Sequence, residues 1–227
     1  MKKFFNIGIL FLFFTSCIST AMSTGADGYP DHWWQEVPKD QLAGWEISPH
    51  TANRLNKEVI LSKRNELGKL SNFEPSPFML DGETYGSIEG LWQSMKYPEN
   101  QNDERNHPSV VWPHSRRQVM AMSSFEAKNA GTLASQNMKK LGIKWVTYKG
   151  QKIEYGGADQ DKHYDIILRA SRAKLQAHPQ IKEILMSTGD LKLLPDHKTS
   201  PDSPPAYHYY DIYMKLRSEF QTGSVNN

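Results

Sequence analysis

Apolar positions along the chain fall into short runs whose period changes, and each change marks an element. "EVILS" at 58–62 is a brief apolar run bounded by polar residues and predicts a strand. "PFMLDGETY" places Asp81-Gly82 between two short extended segments, the strongest hairpin signal in the chain. Ile88, Leu91, Trp92 and Met95 then recur at i, i+3, i+4 and i+7, the buried stripe of a helix, with Ser87 as its N-cap and Glu89 in its first turn.

"SSFEAKNAGTLASQNMKKLG" predicts a second helix. Ser123 and Glu126 have capping-box spacing, Ala127, Ala130, Leu133, Ala134 and Met138 form the apolar face, and Gly142 is the stop. "DIILRASRAKLQAH" predicts a third, ended by Pro179, and "PQIKEILMSTG" a fourth, with Pro179 near its first position and Gly189 past its end. "LKLLPDH" reads as a returning strand. "AYHYYDIYMKLRSEF" reads as a closing helix with Tyr209, Tyr213, Leu216 and Phe220 on one face. The fold class is α+β: one helix-dominated domain with a small β-sheet.

The ends of the chain read differently. "MKKFFNIGILFLFFTSC" joins Lys2 and Lys3 to an apolar run and a small-residue close, the plan of a signal peptide too short to span a bilayer. "FTSC" resembles a bacterial lipobox, with Cys17 as the lipidated residue anchoring the chain to a membrane in the cell envelope. An ordinary secretion signal, an uncleaved anchor, or a start at Met22 that leaves a cytosolic protein are the alternatives. Expected boundaries are 1–17 for the signal peptide, 18–56 for a tether and a wrapping segment, 57–220 for the domain and 221–227 for a disordered tail. The tether covers 19–28. The wrapping segment, 29–49, is rich in tryptophan and proline, and its Trp33, Trp34 and Trp45 are expected to pack on the domain rather than on a ligand.

The 227 residues suffice for one sizeable core, and 27 basic against 25 acidic residues give no footprint for bulk nucleic-acid binding, while leaving open a single nucleotide in a pocket. Cys17 is the single cysteine, so neither an intramolecular disulfide nor a cysteine metal cluster can form. Internal repeats, a Walker loop, a dinucleotide fingerprint, a His-rich metal motif and a Gly-x-Ser-x-Gly elbow are all absent from the sequence, and neither metal nor cofactor is expected.

One constellation carries chemistry. Glu89, Gln93 and Lys96 fall at i, i+4 and i+7, a polar line beside the apolar stripe. Singly, Glu89 reads as a cap and Lys96 as a solvated amine. Together, the carboxylate can stabilise an oxocarbenium-like transition state or activate water, and an amine of lowered pKa can attack a ring-opened sugar. Trp92 and Trp145 are candidate stacking surfaces for a base, or core residues.

"LSNF", the aspartate-glycine turn, Y-x-S-x-E, Q-x-x-K, "FEAKNAG", "LGIKW", "RAKLQAHPQIKEILMSTGDLKLLPDH" and "MKLR" resemble the NADAR family, the YbiA-like proteins linked to NAD and ADP-ribose metabolism, over about 59–220. The resemblance implies N-glycosidase activity on ribosylated bases. Its substrates would be phosphoribosylamino-pyrimidine intermediates of riboflavin synthesis, another ribosyl or ADP-ribosyl small molecule, or ADP-ribosylated guanine in nucleic acid. It places the family's catalytic glutamate on Glu89 and its Schiff-base lysine on Lys96. The family's glutamine falls on Gln93, its asparagine-phenylalanine pair on Asn72 and Phe73 and its mid-domain tryptophan on Trp145. These substrate-binding positions join the stacking candidate Trp92, with Arg172 and Lys174 either holding phosphate or facing solvent.

The chain departs from the family at two places. Gly90 stands where many members have histidine, and "PDSPPAYHYYDIYMKLR" replaces a late tryptophan-glycine segment and an Asn-x-Leu-Gly block. Tyr207 is a candidate replacement stacking wall, and Asp196 with His197 a candidate acid-base pair. The competing function is an inactive ADP-ribose-binding module in the cell envelope.

Overall fold

A computed structural model describes residues 23–223. The expected signal segment, Cys17, Met22 and residues 224–227 lie outside the described residues. No helix among those described is long and apolar enough to cross a membrane.

The architecture is α+β and helix-dominated. In chain order it runs β1 (Glu58–Ile60), β2 (Phe78–Leu80), β3 (Glu83–Tyr85), α1 (Ile88–Ser94), α2 (Arg116–Met120), α3 (Ser124–Lys140), β4 (Val146–Tyr148), β5 (Gln151–Ile153), α4 (Gln160–Ala177), α5 (Pro179–Ser187), β6 (Lys192–Leu194) and α6 (Tyr209–Thr222). The expected small sheet is instead three separate two-stranded pairs: β1 with β6 in parallel, and the antiparallel hairpins β2–β3 and β4–β5. Each strand is three residues long, and irregular backbone takes neighbouring hydrogen bonds: Thr147 N–H donates to Met95 O and Ile47 N–H to Asp196 O.

The Asp-Gly hairpin forms with both central residues at positive φ, Asp81 at 49° and Gly82 at 82°, as a primed turn requires. A second such turn at Lys149-Gly150 (50° and 76°) closes β4–β5, a hairpin the hydrophobic pattern did not reveal. The Asp81 carboxylate accepts from Tyr148 Oη at 2.8 Å and from Arg169 at 2.8 Å, so one turn ties β4 and α4 together. Buried side chains from β1, α1, α4, α5, β6 and α6 share one core, among them Val59, Leu91, Ile167, Leu185, Leu193 and Ile212.

Several boundaries shift from expectation. Ser123 makes no side-chain cap at α3; Ser124 takes φ 52° and gives both its N–H and its hydroxyl to Phe73 O, so the helix start serves the loop before α1. The capping box forms instead at α2, between Ser115 and Gln118, where no helix was expected. Leu133 on α3 is exposed, and Gly131 is buried in its place. α4 begins five residues earlier than predicted, and α6 continues through Gln221 and Thr222, into the expected tail.

The wrapping segment packs on the domain through short 3-10 turns. Trp33 is buried and donates to Glu66 at 2.6 Å, and Trp34 lies under Arg54 and donates to Glu58 O. Residues 23–28 of the expected tether fold back, with Asp27 holding Arg54 at 2.6 Å and Thr24 bridging Pro30.

Candidate functional site

The polar line of α1 opens into a cleft of about 510 Å³ between α1, α3, α4 and the 197–209 segment. Ser87 starts α1 by accepting from Gly90 N–H at 2.9 Å, and Glu89 N–H donates to Asn72 O, which sets the Asn72-Phe73 loop against the helix start. That loop is held again from behind: the fully buried Lys174 ammonium donates to Lys69 O and Ser71 O, both at 2.8 Å. Burial lowers the Lys174 pKa to about 7.

Glu89 and Gln93, one turn apart, are linked by a 2.8 Å hydrogen bond from Nε2 to the carboxylate. Lys96 lies past the end of α1, on backbone that two guanidinium groups fasten. Arg105 donates to Met95 O and Arg116 to Tyr97 O, and both reach Thr147 Oγ1. Arg105 is itself fully buried and paired with Asp103. The Lys96 ammonium donates to Ser135 Oγ at 3.0 Å and sits 5.0 Å from the Trp92 ring.

Burial sets the protonation of this pair. It pushes the Glu89 carboxyl upward, with the Gln93 hydrogen bond and the charges of Lys96 and Lys128 opposing. It lowers Lys96 to about 8, with the Glu89 charge opposing. At pH 7 that leaves about a tenth of the amine neutral, against about one in three thousand at the ordinary value.

Three polar side chains present unpartnered buried atoms in this cleft: Gln93 Oε1, Asn72 Oδ1 and both ring nitrogens of His163. His163 enters from α4 with its ring 4.3 Å from that of Trp92, and Tyr155 and Tyr207 complete an aromatic group around it. Burial, then the Lys96 charge, depresses its pKa to about 4, so the imidazole is neutral at pH 7. A neutral imidazole offers one donor and one acceptor. The cleft therefore combines a carboxyl, an amide, a partly neutral amine and a neutral imidazole between aromatic walls.

Neither a family model nor a curated protein sequence matches the chain. Among solved structures, the NMR structure of the E. coli protein YbiA is similar. It is 17% identical, aligned over 76% of this chain and 89% of that one, with a TM-score of 0.49.

Of the eight expected catalytic and substrate-binding positions, the cleft gathers Asn72, Phe73, Glu89, Trp92, Gln93 and Lys96 and leaves out two. Trp145 lies between cations outside the cleft, 4.3 Å from Lys152 Nζ and 4.9 Å from the Arg105 guanidinium. Arg172, half-buried, does not line the cleft; it pairs with Glu219 at 2.7 Å and joins α4 to α6. Tyr207, from the replaced late segment, lines the cleft 5.9 Å from Trp92. Asp196 is buried and bound to both His197, at 2.8 Å, and Lys63. Burial raises its pKa, but those two partners outweigh it and hold the carboxyl below its usual range.

Gly90 has a steric reason. A Cβ there would lie 2.4 Å from Met122 O, because the 119–122 turn packs directly on this face of α1. A histidine has no room at that position.

The sequence reading missed Lys63, Phe125, Lys128, Ser135 and His163, and it assigned Trp45 to packing although Trp45 lines the cleft mouth. Phe125, Lys128, Thr132 and Ser135 recur at three and four residues, a second stripe on α3 that its apolar face concealed. His163 lies one turn before Ile167 on the buried side of α4, ahead of where that helix was expected to begin.

Proposed function

We propose that the chain hydrolyses the N-glycosidic bond of a ribosylated or ADP-ribosylated base. One observation carries this reading: the Lys96 amine, lowered to about 8, shares a partly enclosed cleft with the protonation-prone Glu89 carboxyl and with aromatic walls of the kind that hold a base.

The chemistry balances with one water. Protonated Glu89 gives its proton to the departing base as the C1′–N bond breaks with its electron pair going to the base. The neutral Lys96 amine bonds to C1′, and its extra proton passes to the ring oxygen as the C1′–O bond opens, which leaves a protonated imine. The Glu89 carboxylate takes a proton from water while hydroxide adds to C1′, and collapse of that adduct frees the aldehyde sugar and the neutral amine. Gln93 orients the Glu89 carboxyl throughout.

The resemblance in Y-x-S-x-E and Q-x-x-K supports the same reading, with a ribosyl or ADP-ribosyl small molecule or ADP-ribosylated guanine as substrate. A second reading, an ADP-ribose-binding module without turnover, draws on the replaced late segment. The test is a base-release assay on the purified chain with ADP-ribosylated guanine oligonucleotide, NAD and phosphoribosylamino-pyrimidine, beside Glu89→Ala and Lys96→Ala. Release that vanishes in both variants supports the glycosidase. Measurable ADP-ribose binding with no release from any substrate supports the binding module.

A further inference from the structure

The cleft has two aromatic groups, and the chemistry above uses one. Trp92, Tyr155, His163 and Tyr207 form the group beside Lys96. The other stands at the mouth: Phe73 and Phe125 meet edge to face at 5.4 Å, and Trp45 lies 6.4 Å from Phe125. Phe125 is 50% exposed and Trp45 43% exposed.

Trp45 is held at that rim. Glu46, next to it, accepts a two-pronged ion pair from Arg64 at 2.7 and 2.6 Å and bridges to His197 through its backbone, while Ile47 N–H donates to Asp196 O. A turn tied to the domain on both sides of its chain thus presents an indole to water. This residue lies ahead of 59–220, the stretch that the family resemblance covers.

Cations accompany these rings. Lys63 Nζ is 5.0 Å from the Trp45 ring, and Lys128 Nζ is 5.8 Å from both Phe73 and Phe125. Lys63 is neutralised by Asp196, whereas Lys128 makes no ion pair among the described residues and its charge reaches Glu89. Lys128 therefore acts on both the mouth rings and Glu89. Asn72 Oδ1, buried and unpartnered, lines the same stretch.

We propose that Trp45, Phe73 and Phe125 form a second ring-binding subsite, which takes the planar base of a nucleoside phosphate while Lys128 takes the phosphate. Aromatic faces with an adjacent unpaired ammonium match a ring joined to an anion. The inference deepens the glycosidase reading by selecting a substrate with a nucleotide at its far end, and it rests on that reading only for the chemistry at Lys96.

Calorimetric titration of the full chain with AMP and with ribose 5-phosphate tests it. AMP is expected to bind more tightly than ribose 5-phosphate. Trp45→Ala should weaken AMP about tenfold and leave ribose 5-phosphate within about twofold, Trp45→Phe should restore most of the loss, and Lys128→Ala should weaken both ligands. Equal binding of the two ligands, or AMP binding indifferent to Trp45→Ala, overturns the subsite. Binding is read without turnover, so a chain inactive as a glycosidase can still pass, and an active one can still fail.

Discussion

Gly131 on α3 leaves the space that the Gln93 side chain of α1 fills: a Cβ at residue 131 would fall 1.7 Å from Gln93 Oε1 and 2.1 Å from its Cδ. A helix-interior glycine costs about 1 kcal/mol relative to alanine, and here it admits the amide that grips Glu89 at 2.8 Å.

Gly131→Ala should therefore separate stability from activity. The colliding atoms belong to a side chain that can swing away, so thermal melting should stay within about 5 °C of the parent. With Gln93 displaced, kcat/KM on the cleaved substrate should fall at least about tenfold. Unchanged turnover would show that the Glu89–Gln93 bond is dispensable.

Lys96 gives a covalent signature. Its amine must be neutral to attack while Glu89 must be protonated to release the base, so the rate should pass through a maximum with pH, one limb of it set near 8 by Lys96. Borohydride added during turnover should fix the sugar to the protein, and peptide mass mapping should find it on Lys96. Trapping that survives in Lys96→Ala would move the nucleophile elsewhere.

His163 predicts the acid limb of stability. Its folded pKa of about 4 lies below the unfolded value of about 6.5, so the unfolded chain binds the extra proton between those values. Stability is whole above about pH 6.5 and lost as pH falls toward 4, by ~3 kcal/mol for the full shift. His163→Phe keeps a ring against Trp92 and should flatten this limb in urea titrations. Parallel curves for parent and variant would refute the assignment. Lys174, lowered to about 7 from 10.5, acts with the same sign at higher pH: the unfolded chain again binds the extra proton, so stability rises from about 7 to 10.5.

Arg172 and Trp145 should be silent in catalysis. Arg172→Ala removes a half-buried ion pair to Glu219 and should cost about 1 kcal/mol of stability without changing KM. Trp145→Ala should likewise leave KM alone. A rise in KM of tenfold or more in either variant would bring that residue back to the ligand.

Local chemistry made much of this legible in one dimension. Asp81-Gly82 specifies its turn through φ alone, Ser87 caps α1 through its own hydroxyl, and Pro179 and Gly189 bracket α5, all effects that act within a few residues. The Glu89 and Gln93 pairing was equally readable, because helix geometry places i and i+4 together. Lys96 was readable as a neighbour, but its lowered pKa comes from burial by α3 and α4, which no spacing encodes. The three strand pairs in place of one sheet, the steric exclusion of a side chain at Gly90 by the turn at Met122, and the diversion of Arg172 to Glu219 all depend on contacts between distant segments. So does the cleft's second half. His163 and Trp45 arrive from segments 118 residues apart, and only packing against α1 and α3 turns a helix stripe and an exposed indole into its walls.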